Sequence, residues 1–264
     1  MKKKNKKNNN KKIIIITIIS IIVLLLGYKV FMYYKYTCEK PEGIEEVVAG
    51  LKNSKTIKIS KKVLPENEYV TKKHFKMKNI MDGYILDESN ITTSIDIYRK
   101  EIDGKSSVIQ FGADEESFRL VDAFVEDDIT IYGDYGLFKG SINDADRKGF
   151  LEKNNIKNDI DFYKFVADNY YIESNIFTDI KTLKQNYAFN LFVSIAVPKI
   201  AGWTILEGDI NGYIMNVGTK DDISAFQITI IDNGKRYGIL TKDPRFKDES
   251  FVIDVISTME IIDK

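Results

Sequence analysis

The stretch that decides the fold is SAFQITIIDNGKRYGILT, residues 224–241. Residues 224–232 and 235–241 are rich in β-branched and aromatic side chains, and Asn233-Gly234 separates them. Asn-Gly favours a type I′ turn, because both central residues of that turn need a positive φ. The sequence therefore predicts an antiparallel hairpin at this position.

A second hairpin is predicted about 130 residues earlier, where 94–102 and 105–112 flank Asp103-Gly104, a turn signal of the same kind. Other landmarks recur in the same order, at offsets of 129 to 133 residues: Gly83-Tyr84-Ile85 with Gly212-Tyr213-Ile214, Glu116-Ser117-Phe118 with Glu249-Ser250-Phe251, Ile44, Val48 and Leu51 with Ile176, Ile180 and Leu183, and Pro65 with Pro198. We interpret this as a duplication. Chance similarity is the alternative.

Each repeated unit is predicted to hold a helix, an antiparallel sheet and a closing helix. Apolar residues of 44–51 recur at helical spacing, and so do those of 251–259, where Ser250 is in position to cap the helix. The fold class is then α+β: an N-terminal transmembrane helix followed by a tandem of two small modules, each an antiparallel sheet with a helix before and after it.

Two parts of the chain are harder to assign. Residues 187–197 alternate between apolar and other side chains, which favours a strand ending at Pro198, but a helix over 178–197 also fits the apolar pattern. Residues 126–172 are predicted to connect the modules through a short hairpin, 129–132 with 137–142, and through helices over 144–152 and 159–170.

The N-terminal segment predicts a membrane anchor. Residues 1–12 are MKKKNKKNNNKK, and an apolar run with one charge, Lys29, follows from Ile13 to Tyr34. Twenty-two helical residues span about 33 Å, which matches a hydrocarbon core about 30 Å thick. The lysines keep residues 1–12 in the cytoplasm by the positive-inside rule, so the body lies outside. The partner predicted for 13–34 is therefore the lipid bilayer.

The sequence fits two alternatives to the anchor less well. A cleaved signal peptide needs small residues at its cleavage site, but Gly27 is followed by bulky side chains. A lipoprotein acylated at Cys38 needs small and aliphatic residues before the cysteine, where this chain has Lys35-Tyr36-Thr37. The predicted division is 1–12 cytoplasmic segment, 13–34 anchor, 35–125 first module, 126–172 connecting segment and 173–264 second module.

Charge and composition exclude several classes of function. The chain has 39 basic and 39 acidic residues, but nine lysines and no acid lie in 1–37, so residues 38–264 carry a net charge of −9. An acidic body argues against nucleic acid as a partner. One cysteine and one histidine exclude an internal disulfide framework and sites that need two imidazoles. The abundance of Lys, Ile and Asn is typical of AT-rich low-GC bacteria, which predicts a Gram-positive envelope.

No catalytic, cofactor or metal site is predicted, although several features were weighed. His74 is interpreted as structural, within a predicted strand over 69–78. The segment Asn143-Asp144-Ala145-Asp146 faintly resembles a calcium loop, but Lys148 and Asn155 occupy ligand positions, so Asp144 and Asp146 are interpreted as helix-start residues. The acidic clusters 126–128 and 221–222 are interpreted as solvated loops, and most aromatic residues as core.

The sequence therefore predicts a non-catalytic binding, immunity-type or sensor module displayed at the cell surface, with an unknown protein, peptide or cell-wall ligand. A carboxylate-dependent envelope hydrolase is the first alternative, and it requires a cleft with acids of raised pKa. An oligomeric envelope scaffold is the second.

Overall fold

A computed structural model of the chain describes residues 2–90, 95–102, 104–113, 124–125, 144–197, 199–219 and 222–262. The helices of this part are α1 (Lys2–Lys35), α2 (Ile44–Lys52), α3 (Asp144–Lys153), α4 (Asp159–Asp168), α5 (Ile180–Ala196) and α6 (Glu249–Ser257). Its strands are β1 (Lys55–Ile59), β2 (Tyr69–Lys72), β3 (Phe75–Lys78), β4 (Ile85–Leu86), β5 (Ile95–Ile102), β6 (Lys105–Ala113), β7 (Ile200–Gly208), β8 (Asn211–Gly218), β9 (Ile223–Asp232), β10 (Lys235–Thr241) and β11 (Glu260–Ile261). The α+β class is confirmed.

The strands form one large sheet and one small sheet. The large sheet has the order β1-β7-β8-β9-β10-β6-β5-β4, and the small sheet has the order β11-β3-β2. Strand β1 runs parallel to β7, and the other neighbours in both sheets are antiparallel. In β8 the four residues 212–215 are buried in succession, which shows that both faces of the large sheet are covered.

Both predicted hairpins are present. Asp232 pairs with Lys235 across a two-residue turn, in which Asn233 and Gly234 have φ values of 49° and 79°. These positive values are those that a type I′ turn requires, and glycine reaches them at no steric cost. The first hairpin has the same loop length, because Ile102 pairs with Lys105.

Strands from the two predicted modules share both sheets. Strand β6, from 35–125, pairs with β10, from 173–264, and β1 and β3 pair with β7 and β11 in the same way. The module boundaries and the duplication stay predictions. The predicted hairpin within 126–143, the landmark 116–118 and Pro198 lie outside the described residues.

The large sheet separates two hydrophobic layers. On one face, side chains of β7 and β8, among them Trp203 and Tyr213, pack against α2, α4 and α5. On the other face, side chains of β6, β8, β9 and β10 pack against the small sheet and α6. We call these the helical face and the small-sheet face.

Three local predictions were wrong. Residues 187–197 belong mainly to helix α5, the alternative to the favoured strand, because the buried side chains recur at helical spacing and not at every second position: Leu183, Ala188, Phe189, Phe192 and Val193. Residues 69–78 form β2 and β3 with a turn between them, at which Lys73 has a φ of 49°. Asp248, rather than Ser250, caps α6, since its side chain accepts a hydrogen bond from the Ser250 amide.

Candidate functional site

His74 lies in the turn between β2 and β3, where its carbonyl accepts a hydrogen bond from the Ile262 amide (2.8 Å). Its ring centre is 5.9 Å from that of Tyr237. Its Nδ1 atom is buried and has no hydrogen-bond partner among the described residues. General-base catalysis needs an imidazole within reach of a substrate proton. These contacts instead favour the structural interpretation of His74.

The calcium-like segment starts a helix, as the sequence predicted. Asp144 and Asp146 lie in the first turn of α3, where a negative charge complements the helix dipole. Asp144 pairs with Arg147 at 3.2 Å, and Asp146 lies 3.9 Å from Lys184. Among the described residues, no group of three or more potential metal ligands occurs.

The acidic clusters and the cysteine show no reactive arrangement in the described residues. Asp222 is exposed and its amide closes a turn onto Thr219, whereas 126–128 and Asp221 lie outside the described residues. Burial raises the pKa of the Cys38 thiol, although a hydrogen bond with Asn190 opposes this shift. The thiol is therefore mainly protonated at neutral pH, which lowers its nucleophilicity.

The two Gly-Tyr-Ile segments have different surroundings. Gly83 lies in a turn before β4, whereas Gly212 lies within β8, where an added Cβ would be 1.9 Å from the Thr229 carbonyl oxygen. Tyr213 packs on the helical face and Tyr84 on the small-sheet face. The backbones therefore approach closely at Gly212, and the two tyrosines do not occupy equivalent places.

Tyr84 belongs to a polar network beneath the small-sheet face. Its hydroxyl donates to Asp243 Oδ2 (2.9 Å) and lies 2.6 Å from Ser107 Oγ. The Arg245 side chain donates to both oxygens of Asp243 and also to the Ile80 carbonyl. Asp243 has no exposed surface. This network fixes the start of β6 and the segment after β10, and both line the cavity described next.

A cavity of about 330 Å³ lies at the ends of β6, β9 and β10. Its polar lining includes Lys105, Lys242 and Lys247, with the exposed Ser106 and Ser224 beside them. The three lysines form no ion pair with any described residue. We call this the basic cavity. Its ammonium groups are available to an anion from outside the chain.

A second cavity, of about 310 Å³, contains Asp209, Asp232 and Glu260 together with Lys61. Two of these acids already serve the fold. Asp209 accepts a hydrogen bond from the Lys61 amide (2.9 Å), and Glu260 lies 3.8 Å from the Lys61 ammonium. Hydrogen bonds lower the pKa of five carboxyl groups elsewhere in the described residues: Glu45, Asp179, Asp243, Asp248 and Asp254.

The basic cavity was not predicted from the sequence. Lys105 and Lys242 are 137 positions apart, and only the pairing of β6 with β10 brings them together. The sequence did indicate that both lysines lie at strand ends, since Lys105 directly follows the first hairpin turn and Lys242 follows the last residue of β10. If β6 and β10 had been predicted to pair in antiparallel orientation, both lysines would have been placed at the same end of these two strands.

The N-terminal helix α1 contains a stretch, Ile13–Lys35, that is long and apolar enough to cross a membrane, and its most apolar part is not buried by the protein. Both a membrane anchor and a signal sequence have this length and composition. No family model matches the chain, and neither a curated protein nor a solved structure matches it.

Proposed function

We propose that this chain is a single-pass membrane protein whose residues beyond about 38 lie outside the cell, as a non-catalytic body that binds a phosphate-bearing ligand in the basic cavity. The observation that carries the proposal is the position of Lys105, Lys242 and Lys247 around one cavity. Residues 38–264 have a net charge of −9, so a cavity with three lysines is a local exception to the charge of the body.

Phosphate suits this cavity better than a neutral ligand does. Hydrogen bonds between an ammonium group and an anionic oxygen are stronger than those between neutral groups. Ser106 offers a hydroxyl donor beside the lysines, whereas the Ser224 hydroxyl already donates to the Val217 carbonyl oxygen (3.1 Å), and Phe226 supplies an apolar wall. Among the described residues, no serine of this cavity is hydrogen-bonded to one of its lysines, which supports anion binding rather than nucleophilic catalysis.

Binding is tested with the full chain in detergent micelles and with soluble polyphosphate as the probe. Calorimetry should show that the triple variant Lys105→Gln, Lys242→Gln, Lys247→Gln binds at least about tenfold more weakly, a loss of about 1.4 kcal/mol. A matched control replaces Lys58, Lys157 and Lys164, which are exposed and form no ion pair with the described residues. Equal losses in both variants would mean that net charge, and not the cavity, attracts the anion.

Membrane topology is tested separately, on intact cells. Protease added from outside should remove the body and leave the N-terminal segment protected, because the lysines of 1–12 hold that end in the cytoplasm. A body that stays intact until the cells are opened would contradict the orientation.

We propose further that the body arose by duplication of an α+β module. The support is the junction between β6 and β10, at which Gln110 and Leu240 face each other, 130 positions apart. That offset is the one found between the two hairpin turns. The hairpins would then be related by an approximate two-fold axis through this pair. A chain cut between 125 and 173 whose two halves reassemble on mixing would support this origin.

A further inference from the structure

One side of the end of helix α1 packs against the body. Met32 and Tyr36 are only 7% and 5% exposed, and they form a small cluster with Leu183 of α5. The ring of Tyr36 lies 5.9 Å from that of Tyr187, also on α5. The last turns of α1 are therefore covered by protein on one side, while Phe31 and Tyr34 on the other side stay 47% and 74% exposed. Residues 13–28 are exposed along their whole length.

The part of α1 that is exposed on every side is too short for a bilayer. Sixteen residues, 13–28, extend about 24 Å, while the hydrocarbon core is about 30 Å thick. The missing distance of about 6 Å corresponds to four helical residues, 29–32. Within this depth the bilayer must meet the body as well as the helix.

The part of the body that lies at this depth is the loop 175–179. The Lys29 ammonium donates a hydrogen bond to the Phe177 carbonyl oxygen (3.1 Å). Lys29 precedes the end of the apolar stretch, Lys35, by six residues, or about 9 Å along the helix. The loop therefore lies beside the helix well before the helix ends.

The loop presents apolar side chains outward in a fixed geometry. Phe177 is 84% exposed and Ile176 is 37% exposed. Asn175 and Thr178 close the loop on itself, since the Asn175 amide donates to Thr178 Oγ1 and the Phe177 amide donates to Asn175 Oδ1. The amides of Asn175, Phe177 and Thr178 are bonded within the loop and the Phe177 carbonyl accepts from Lys29, so these backbone groups keep their partners when the apolar side chains enter lipid.

We propose that loop 175–179 is a second membrane contact, which inserts Phe177 and Ile176 into the outer interface of the bilayer that α1 crosses. This inference rests on the proposed membrane anchoring. A single exposed aromatic residue is ordinary on a soluble surface. Here it adjoins the exposed apolar helix through the Lys29 bond, and aromatic side chains prefer the level of the headgroups. The body is therefore held close to the membrane with its helical face toward the lipid.

The test uses the full chain in vesicles of phosphatidylcholine and phosphatidylglycerol, in a Cys38→Ser background. Spin labels are placed singly at Phe177→Cys, Ile176→Cys, Ile22→Cys and Val63→Cys. Val63 is the matched control, because it is also 84% exposed but follows Lys62, whose amide bonds to Ser257 at the end of α6 on the small-sheet face. Collisions with oxygen report lipid, and collisions with a water-soluble nickel complex report water.

We expect the ratio of oxygen to nickel accessibility at 177 and 176 to be several-fold higher than at 63, and lower than at 22. If 177 and 176 match 63 while 22 remains in lipid, the loop lies in water and the inference is overturned, although the anchor stands. If 22 is also accessible to nickel, the anchoring itself fails, and the inference fails with it.

Discussion

The two faces of the large sheet are covered by different kinds of interaction. The helical face is dominated by aromatic packing, in which the Phe189 ring contacts three other phenylalanine rings at centroid distances of 4.9 to 5.9 Å. The small-sheet face has fewer ring contacts and more charged pairs, including Asp243 with Arg245 and Asp254 with Lys62 and Lys78. The contribution of the helical face to the free energy of unfolding should therefore depend mainly on packing. The contribution of the small-sheet face should depend on pH and salt as well.

The difference matches the neighbours that we propose for each face. The end of α1 packs on α5, a helix of the helical face, and the loop 175–179 lies beside it. The basic cavity and the polar network that shapes it lie on the other side. The membrane and the ligand would thus meet opposite faces of one sheet.

The largest expected effect comes from truncating the aromatic cluster. Phe189→Ala should lower the free energy of unfolding by about 4 kcal/mol, because it removes a fully buried ring and leaves a cavity. Urea unfolding of the full chain measures this loss. Phe177→Ala, in the exposed loop, is the control and should change stability by less than about 0.5 kcal/mol. Similar losses from both variants would contradict the packing described here.

The second effect concerns a buried ion pair on the helical face. Asp159 has no exposed surface, and its Oδ2 lies 2.9 Å from Arg236 Nε, which ties α4 to β10. Burial raises the pKa of Tyr213, and the negative charge of Asp159 raises it further. Asp159→Ala should cost about 3 kcal/mol, because it leaves the guanidinium without this carboxylate.

A double variant separates the charge from the volume of this pair. Replacing both residues, as Asp159→Leu with Arg236→Met, should cost less than Asp159→Ala alone, since apolar substitutes avoid the desolvation of two charges. Additive losses measured by urea unfolding would mean that the two side chains do not act as a pair.

The sequence predicted local features better than distant ones. The two hairpins are set by two-residue turns, so neighbouring residues carry the information. A strand was favoured over the helical alternative for residues 187–197, because their apolar side chains alternate along the sequence. Their burial in α5 follows the helical period instead. The parallel pairing of β1 with β7 joins residues nearly 150 positions apart, and no local pattern encodes it. The basic cavity depends on such a long-range pairing, which is why its lysines were missed.

The third effect is a pH dependence that belongs to the small-sheet face. Burial raises the pKa of Asp243, but hydrogen bonds from Arg245 outweigh this, and the net pKa is lower than the ordinary 3.8. The unfolded chain then binds the proton more readily than the folded chain, so stability is full at neutral pH and falls as the pH drops below about 4. Asp243→Asn should cost about 2 kcal/mol at pH 7, because it removes hydrogen bonds to a charged acceptor.

The pH profile distinguishes this group from other acids. Urea unfolding between pH 2.5 and 7 should show a smaller loss of stability on acidification in Asp243→Asn than in the unmodified chain. Asp144→Asn, at an exposed carboxylate, is the control and should keep the original profile. An unchanged slope in the Asp243 variant would show that its proton is not linked to folding.

The smallest effect separates surface pairs from the buried ones. Hydrogen bonds from Lys62 and Lys78 lower the pKa of Asp254, whose side chain is 33% exposed. Solvent screens such pairs, so Asp254→Asn should cost no more than about 1 kcal/mol in low salt. At 1 M salt the screening length falls to about 3 Å, and the loss should shrink toward zero. The loss from Asp159→Ala should persist in that salt, because its ion pair is buried. If salt reduced both losses alike, solvent would reach the ion pair of Asp159 with Arg236. That result would contradict the difference in solvent exposure that we describe between the charged pairs of the two faces.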